Sequence, residues 1–182
     1  MANLKSVLFG GLAITAALLV ILPPSSEAGG CGCPPFWTPF GDNCYRFFTF
    51  KNVTWDAAEM YCRSFSVPCS ETRTLSLGHL TSIHSQEEYD FLRVLYDTTR
   101  NKRVTTRVWI GLTDEDVEGE WRWSDGSDVT FTSWGSGQPN SYGGNQDCAS
   151  FNYEFDYKWN DLHCGIENEF TVESFICKLP RW

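Results

Sequence analysis

WGSGQPNSYGGNQDCASFNYEFDYKWND, residues 134–161, is the segment on which the rest of the chain turns. It carries few signals of regular secondary structure and many side-chain oxygens. Gln138, Asn140, Gln146, Asn160 and Asp161 bear amides or a carboxylate, and Cys148 and Cys164 bracket its second half. A hard cation such as calcium takes six to eight oxygens at about 2.3–2.6 Å, and amide carbonyls serve alongside carboxylates. Gly135, Gly137, Gly143 and Gly144 allow the backbone to turn back on itself around such a cage. A cis bond before Pro139 is expected, because it would aim Gln138 and Asn140 at one centre.

Outward from that loop, the chain ends divide into a leader and a body. Lys5 precedes a mostly apolar run from Val7 to Leu22, then Pro23-Pro24-Ser25 and a small-x-small site at Ser26-Glu27-Ala28. This pattern predicts a secretory signal peptide over residues 1–28 and a single domain over 29–182. The run is short for a membrane span and lacks a basic flank on its far side. The remaining chain of about 154 residues suits one domain with a sizeable core.

Eight cysteines in a secreted chain of this length predict a disulfide framework. A zinc site would want paired C-x₂-C spacings, whereas the only close pair is Cys31-Gly32-Cys33, and His79, His84 and His163 show no ligand spacing. The net charge of −9 opposes nucleic acid and anionic membranes as partners, and membrane insertion is not expected. No G-x-S-x-G elbow, H-E-x-x-H motif or nucleophile–base pair marks an enzyme.

In chain order, Cys33 to Tyr45 reads as a hairpin turning at Gly41-Asp42, and Tyr45 to Phe50 as an aromatic strand. Thr54 is a candidate N-cap for a helix from Trp55 to Cys62, with Trp55, Ala58, Tyr61 and Cys62 on its apolar face. Asn52-Val53-Thr54 is a glycosylation sequon in a surface connection. Phe65 to Leu77 reads as loop, and His79 to Ile83 as a short strand. Ser85-Gln-Glu-Glu88 forms a capping box that opens a second helix carrying Tyr89, Phe91, Leu92 and Leu95. The basic stretch Arg100 to Arg107 is read as solvated loop. Strands follow at Val108–Leu112, Glu120–Trp123, Cys148–Phe151 and Ser174–Cys177, with a turn at Ser124–Ser127 and core tryptophans at 109, 121, 123 and 159. Two helices among short strands in this order predict an α+β domain.

These residues resemble a C-type lectin-like domain. Trp109-Ile110-Gly111-Leu112 matches that family's core motif, Gln138-Pro139-Asn140 its sugar-site tripeptide and Trp159-Asn160-Asp161 its later calcium motif. The resemblance runs from Cys33 to the C-terminus, and the amino-terminal half is especially similar to soluble invertebrate lectins of the echinoidin type. It implies two helices packed on short antiparallel sheets with a long calcium- and sugar-binding loop. It also implies the long-form bridges Cys33–Cys44, Cys62–Cys177 and Cys148–Cys164. Bridging Cys62 to Cys177 would remove about 4–5 kcal/mol of unfolded-chain entropy, and Cys148 to Cys164 about 3 kcal/mol, in the loop-closure model.

The resemblance further implies a calcium site at Gln138, Asn140, Gln146, Asn160 and Asp161, and an auxiliary one at Asp114, Glu118 and Asp147, with Ser141 at its remaining position. Gln146 stands where sugar-binding members usually carry Glu, leaving Asp161 the single carboxylate of the sugar site. Fewer charges imply weak calcium binding, at about 10⁻⁴–10⁻³ M or poorer. In the family, two adjacent sugar hydroxyls complete the metal shell and bond to the same side chains. Each amide can accept at the metal and donate to a hydroxyl. Gln138-Pro139-Asn140 mixes the galactose-type and mannose-type tripeptides. Tyr142, placed to stack on galactose, tips the expectation toward galactose-type glycans. The expected activity is that of a secreted, extracellular, calcium-dependent lectin with a role in innate recognition or agglutination. The alternative is a calcium-independent module that binds protein or a mineral or ice surface. Cys31 is a candidate interchain bridge in a homodimer or higher oligomer, or it pairs with Cys69.

Overall fold

The computed structural model describes residues 32–67, 76–99, 107–152, 156–165 and 172–181. The leader at 1–28, Cys31, Cys69 and most of the basic stretch at 100–107 lie outside the described residues. The architecture is α+β, with two helices on a mixed sheet. In order come β1 (Thr38–Phe40), β2 (Asn43–Thr49), α1 (Trp55–Arg63), β3 (Ser66–Val67), β4 (Ser76–Leu77), β5 (His79–Leu80) and α2 (Gln86–Thr99). Then follow β6 (Arg107–Thr113), β7 (Arg122–Trp123), β8 (Cys148–Asn152), β9 (Trp159–Leu162) and β10 (Ser174–Pro180).

The main sheet runs β1-β2-β10-β6-β8-β9, with β5 also on β10 and β7 also on β6. Its ladders are antiparallel except one: Phe175 of β10 lies parallel to Trp109 of β6. The expectation of purely antiparallel sheets is corrected at that point, where two distant segments meet side by side in the core. Val108 to Thr113 is buried along its whole length, which explains the nearly unbroken apolar run there. Gly111 is required by contact. A Cβ on it would sit 2.7 Å from the Leu80 carbonyl oxygen and 2.8 Å from Ser124 Oγ. Its absence lets Gly111 donate to Thr81 O and accept from Ser124 N, locking two crossing segments onto β6.

Local chemistry sets the helices. Thr54 caps α1, its hydroxyl accepting from Ala57 N at 3.1 Å. Trp55, Ala58, Glu59 and Cys62 are buried on α1, whereas Tyr61 is 37% exposed. The predicted apolar face is therefore corrected by one position. Glu59 is held inside because its carboxylate accepts from Leu80 N and Ser124 Oγ and pairs with His79 Nδ1. In α2, Ser85 Oγ accepts from Glu88 N, but Glu88 reaches back to His84 N rather than to Ser85 N. The capping box is thus half reciprocal, because Glu88 also accepts from Tyr45 OH and from Lys178.

Two further expectations are corrected. The 65–77 segment read as loop contributes the small β3–β4 ladder. Trp121 is half-buried, its ring edge-on to Trp134, whereas Trp109, Trp123 and Trp159 are in the core. The three implied bridges, Cys33–Cys44, Cys62–Cys177 and Cys148–Cys164, are all formed.

Candidate functional site: a polar loop clamped to a strand

Trp159-Asn160-Asp161 ends the stretch with few signals of regular structure, yet it forms β9. Ladder pairs to β8 put Phe151 opposite Trp159, Ser150 opposite Asn160 and Ala149 opposite Asp161. The Cys148–Cys164 bridge closes the far end of that pair. On the other side, Trp159 N donates to Ser133 O and Gly135 N donates to Trp159 O, at 2.9 and 2.8 Å. Trp159 itself is fully buried among Tyr89, Trp123, Phe131 and Trp134. An aromatic bed thus anchors the strand whose next two residues, Asn160 and Asp161, adjoin the polar loop.

Asp161 is the hinge of the arrangement. Its Oδ2 accepts from Asn140 N at 2.8 Å and Ser141 N at 2.6 Å, drawing the loop tip back onto β9. Ser141 makes this possible at φ 42°, and the Gln138–Pro139 bond is cis as expected. The carboxylate is fully buried, and its Oδ1 has no hydrogen-bond partner. Gln138 Oε1 is likewise a buried acceptor without a partner. Buried oxygens are normally satisfied, so one open acceptor on the loop and another on the strand it is bonded to fit a cation that takes oxygen ligands. Asn140 Oδ1 and Gln146 Oε1 both accept from Tyr142 N, each at 3.0 Å, which ties these two side chains to one point. Tyr142 is 80% exposed at the start of a short 3₁₀ turn over Tyr142–Gly144, and Gly143 follows it at φ 82°.

Asp114, Glu118 and Asp147 lie beside this loop. Asp114 N donates to Asp147 O, and Asp114 Oδ2 accepts from Gly119 N. Burial raises the Asp114 carboxyl above the usual range and the Gly119 bond opposes it; Glu118 and Asp147 push it further up. Asp114 Oδ1 is a third buried acceptor without a partner, and Ser141 Oγ donates to Glu118 Oε2 at 3.2 Å. Among the described residues, one set of His, Cys, Asp or Glu ligand atoms gathers within 4.8 Å: Glu115, Cys148 and Cys164. Its sulfurs are joined in a disulfide, so it is no thiolate metal site. His163 is half-buried, and its Nδ1 accepts from Gly165 N.

A cavity of about 280 Å³ opens next to the polar loop, lined by Gly135, Ser136, Gln138, Lys158, Trp159 and Asn160. It brings Gln138 and Asn160 to one wall, although they are 22 positions apart in sequence. Lys158 was missed at the sequence level. Its ammonium donates to Ser133 Oγ at 3.0 Å, and only its position directly before Trp159 could have flagged it.

The protein-family model described as Lectin C-type domain matches residues 51–178. Echinoidin of Heliocidaris crassispina is 42% identical over 153 residues, covering 84% of this chain and 99% of the relative. An alpha-N-acetylgalactosamine-specific lectin of Patiria pectinifera is 40% identical over 153 residues, covering 81% and 82%. The crystal structure of the C-type lectin CEL-I from Cucumaria echinata matches with a TM-score of 0.68 at 31% identity, covering 80% of this chain and 96% of that one. With its core motif on β6, its bridges closed and its polar loop clamped to β9, the chain belongs to the C-type lectin family.

Proposed function

We propose that this chain is a calcium-dependent, carbohydrate-binding lectin acting outside the cell, with galactose-type glycans preferred. As a C-type lectin it is a binding protein and not an enzyme. The observation that carries the calcium reading is the pair of buried, partnerless acceptors, Gln138 Oε1 and Asp161 Oδ1. Gln138, Asn140, Gln146, Asn160 and Asp161 would hold the ion. When bound, calcium supplies coordination positions that two neighbouring sugar hydroxyls can complete.

The chain's own groups do the rest. Gln138 and Asn160 both line the cavity, and their amides can donate to hydroxyls through NH₂. Asp161 keeps the tip of the loop in place through its two backbone bonds. Tyr142, exposed at that tip, offers a ring for the apolar side of a galactose-type sugar. The relative from Patiria pectinifera, named for alpha-N-acetylgalactosamine, supports that choice. Asp114, Glu118 and Asp147 would hold the auxiliary ion, which would relieve their mutual repulsion. Secretion, a role in innate recognition, and a homodimer bridged through Cys31 belong to the same reading, because weak single sites gain avidity when linked.

A glycan array read in calcium and again in chelator tests this. Galactose-type binding that vanishes with chelator is the expected result; retention in chelator overturns it. One observation favours the second reading, a calcium-independent module. Asn140 Oδ1 and Gln146 Oε1 already accept from Tyr142 N, so the loop holds part of its shape through internal bonds.

A further inference from the structure

We propose that Asn52 carries an N-linked glycan whose first N-acetylglucosamine lies across the aromatic groove beside it, making the glycan a structural cover for this domain. The groove is a cavity of about 230 Å³ lined by Phe50, Val53, Ala57, Tyr61 and Phe175, none of them charged. Phe50 is 40% exposed and Tyr61 37%. Phe50 packs edge-on to Tyr61 at 5.0 Å between centroids and stacks on Phe175 at 5.5 Å. The rings are thereby braced into a small, fixed apolar surface.

The backbone points to what covers it. Phe50 N donates to Glu173 O and Val53 N to Val172 O, at 2.8 and 3.0 Å. Both ends of a short excursion are pinned, and Lys51 and Asn52 stand exposed between them. Asn52 sits at φ 50°, the left-handed turn that asparagine tolerates. Asn52-Val53-Thr54 is the acceptor sequon, and two of the groove's own residues, Phe50 and Val53, flank the acceptor. A sugar attached at Asn52 is tethered at the groove's rim, so docking its C–H face on the Phe50 ring costs little translational freedom. Its hydroxyls then face water, which an uncharged, apolar groove requires of a polar occupant.

Attachment joins Asn52 Nδ2 to C1 of a lipid-pyrophosphate-linked oligosaccharide. The C1–O bond breaks, the lipid pyrophosphate leaves with the electron pair, and Nδ2 gives one proton to the transferase. In the folded domain the Thr54 hydroxyl accepts from Ala57 N as the cap of α1 and keeps its own O–H free to donate.

The experiment uses the full chain secreted from a glycosylating eukaryotic cell. A mass loss on treatment with peptide N-glycosidase, absent in Asn52→Gln, is expected. Full removal of the glycan should lower the Tm by about 2–4 °C, while trimming to a single N-acetylglucosamine should leave it unchanged. In Phe50→Leu the same removal should shift the Tm by less than about 1 °C. The proposal is overturned by an unmodified Asn52, by equal shifts with and without Phe50, or by a trimmed form no more stable than the stripped one. If Phe50→Leu is not secreted, the trimmed-versus-stripped comparison on the native sequence decides.

Discussion

Asp161 holds the loop through one carboxylate oxygen and leaves the other buried and open, so in the proposed reading a single side chain would both build the site and meet the ion. The charge at this position and its neighbours sets the strength of ion binding. Gln146→Glu adds a second carboxylate, and calcium affinity should rise about tenfold or more by titration calorimetry. An unchanged affinity would remove Gln146 from the ligand set. Asn160→Asp keeps an oxygen but loses the NH₂ donor. Calcium binding should persist while sugar affinity falls about tenfold, the loss expected for one hydrogen bond to a buried partner. Equal sugar affinity in that variant would end the shared-ligand mechanism. The residue types of this site were readable from the chain, since an oxygen-rich, glycine-punctuated loop has few other uses. The shared donation from Tyr142 N to both Asn140 Oδ1 and Gln146 Oε1 was not readable, because backbone donors leave no mark in residue types.

Among the elements, β10 and α2 are joined by a buried ion pair. Lys178 Nζ lies 2.7 Å from Glu88 Oε1, with side chains only 10% and 8% exposed. The lysine also donates to Ser82 O and Ser82 Oγ, and Tyr45 OH donates to the same glutamate. Burial, with the Glu88 charge adding, pushes the Tyr45 phenol far above its ordinary range, so Tyr45 stays protonated as the donor. Lys178→Met should destabilise by about 3–5 kcal/mol in urea unfolding, because it strands Glu88 without a counter-charge. Adding Glu88→Gln should recover a large part of that loss; no recovery would show that packing, rather than the stranded charge, sets the cost. A milder effect is expected at α1, where Thr54→Ala should cost about 1 kcal/mol by removing the cap. Both helices and the strands at β2, β6, β7, β8 and β10 followed from caps, apolar periodicity and turn residues, whereas β3, β4 and β9 did not. Tyr61 and Glu59 exchanged places because periodicity counts apolar residues and cannot see the three groups that satisfy a buried carboxylate.

For the whole molecule, the bridges and the proposed ion would act on the same equilibrium. Cys62–Cys177 spans 115 positions and Cys148–Cys164 spans 16. Replacing both Cys148 and Cys164 by Ser should cost about 3 kcal/mol and weaken calcium binding, since β9 then loses the tie at the end of its ladder. Calcium at about ten times its dissociation constant should stabilise the native domain by about 1.4 kcal/mol, a Tm rise of about 3–6 °C reversed by chelator. A scanning fluorimetry trace that ignores calcium would count against the loop as an ion site. Running the secreted chain on a gel with and without reductant checks the Cys31 bridge, with a dimer band lost on reduction as the expected outcome.

Residue chemistry alone determined that the chain is disulfide-rich, where the helices and the central Trp109-Ile110-Gly111-Leu112 strand lie, and which loop is rich in oxygens, because each rests on a local pattern or on a count of reactive groups; which cysteines pair was implied only by the resemblance. Only tertiary structure decided that Trp159–Leu162 is a strand, that β10 meets β6 in parallel, and that Gln138 and Asn160 share a cavity wall. Those outcomes depend on contacts between segments far apart in the chain, where packing and satisfied hydrogen bonds outweigh local preference.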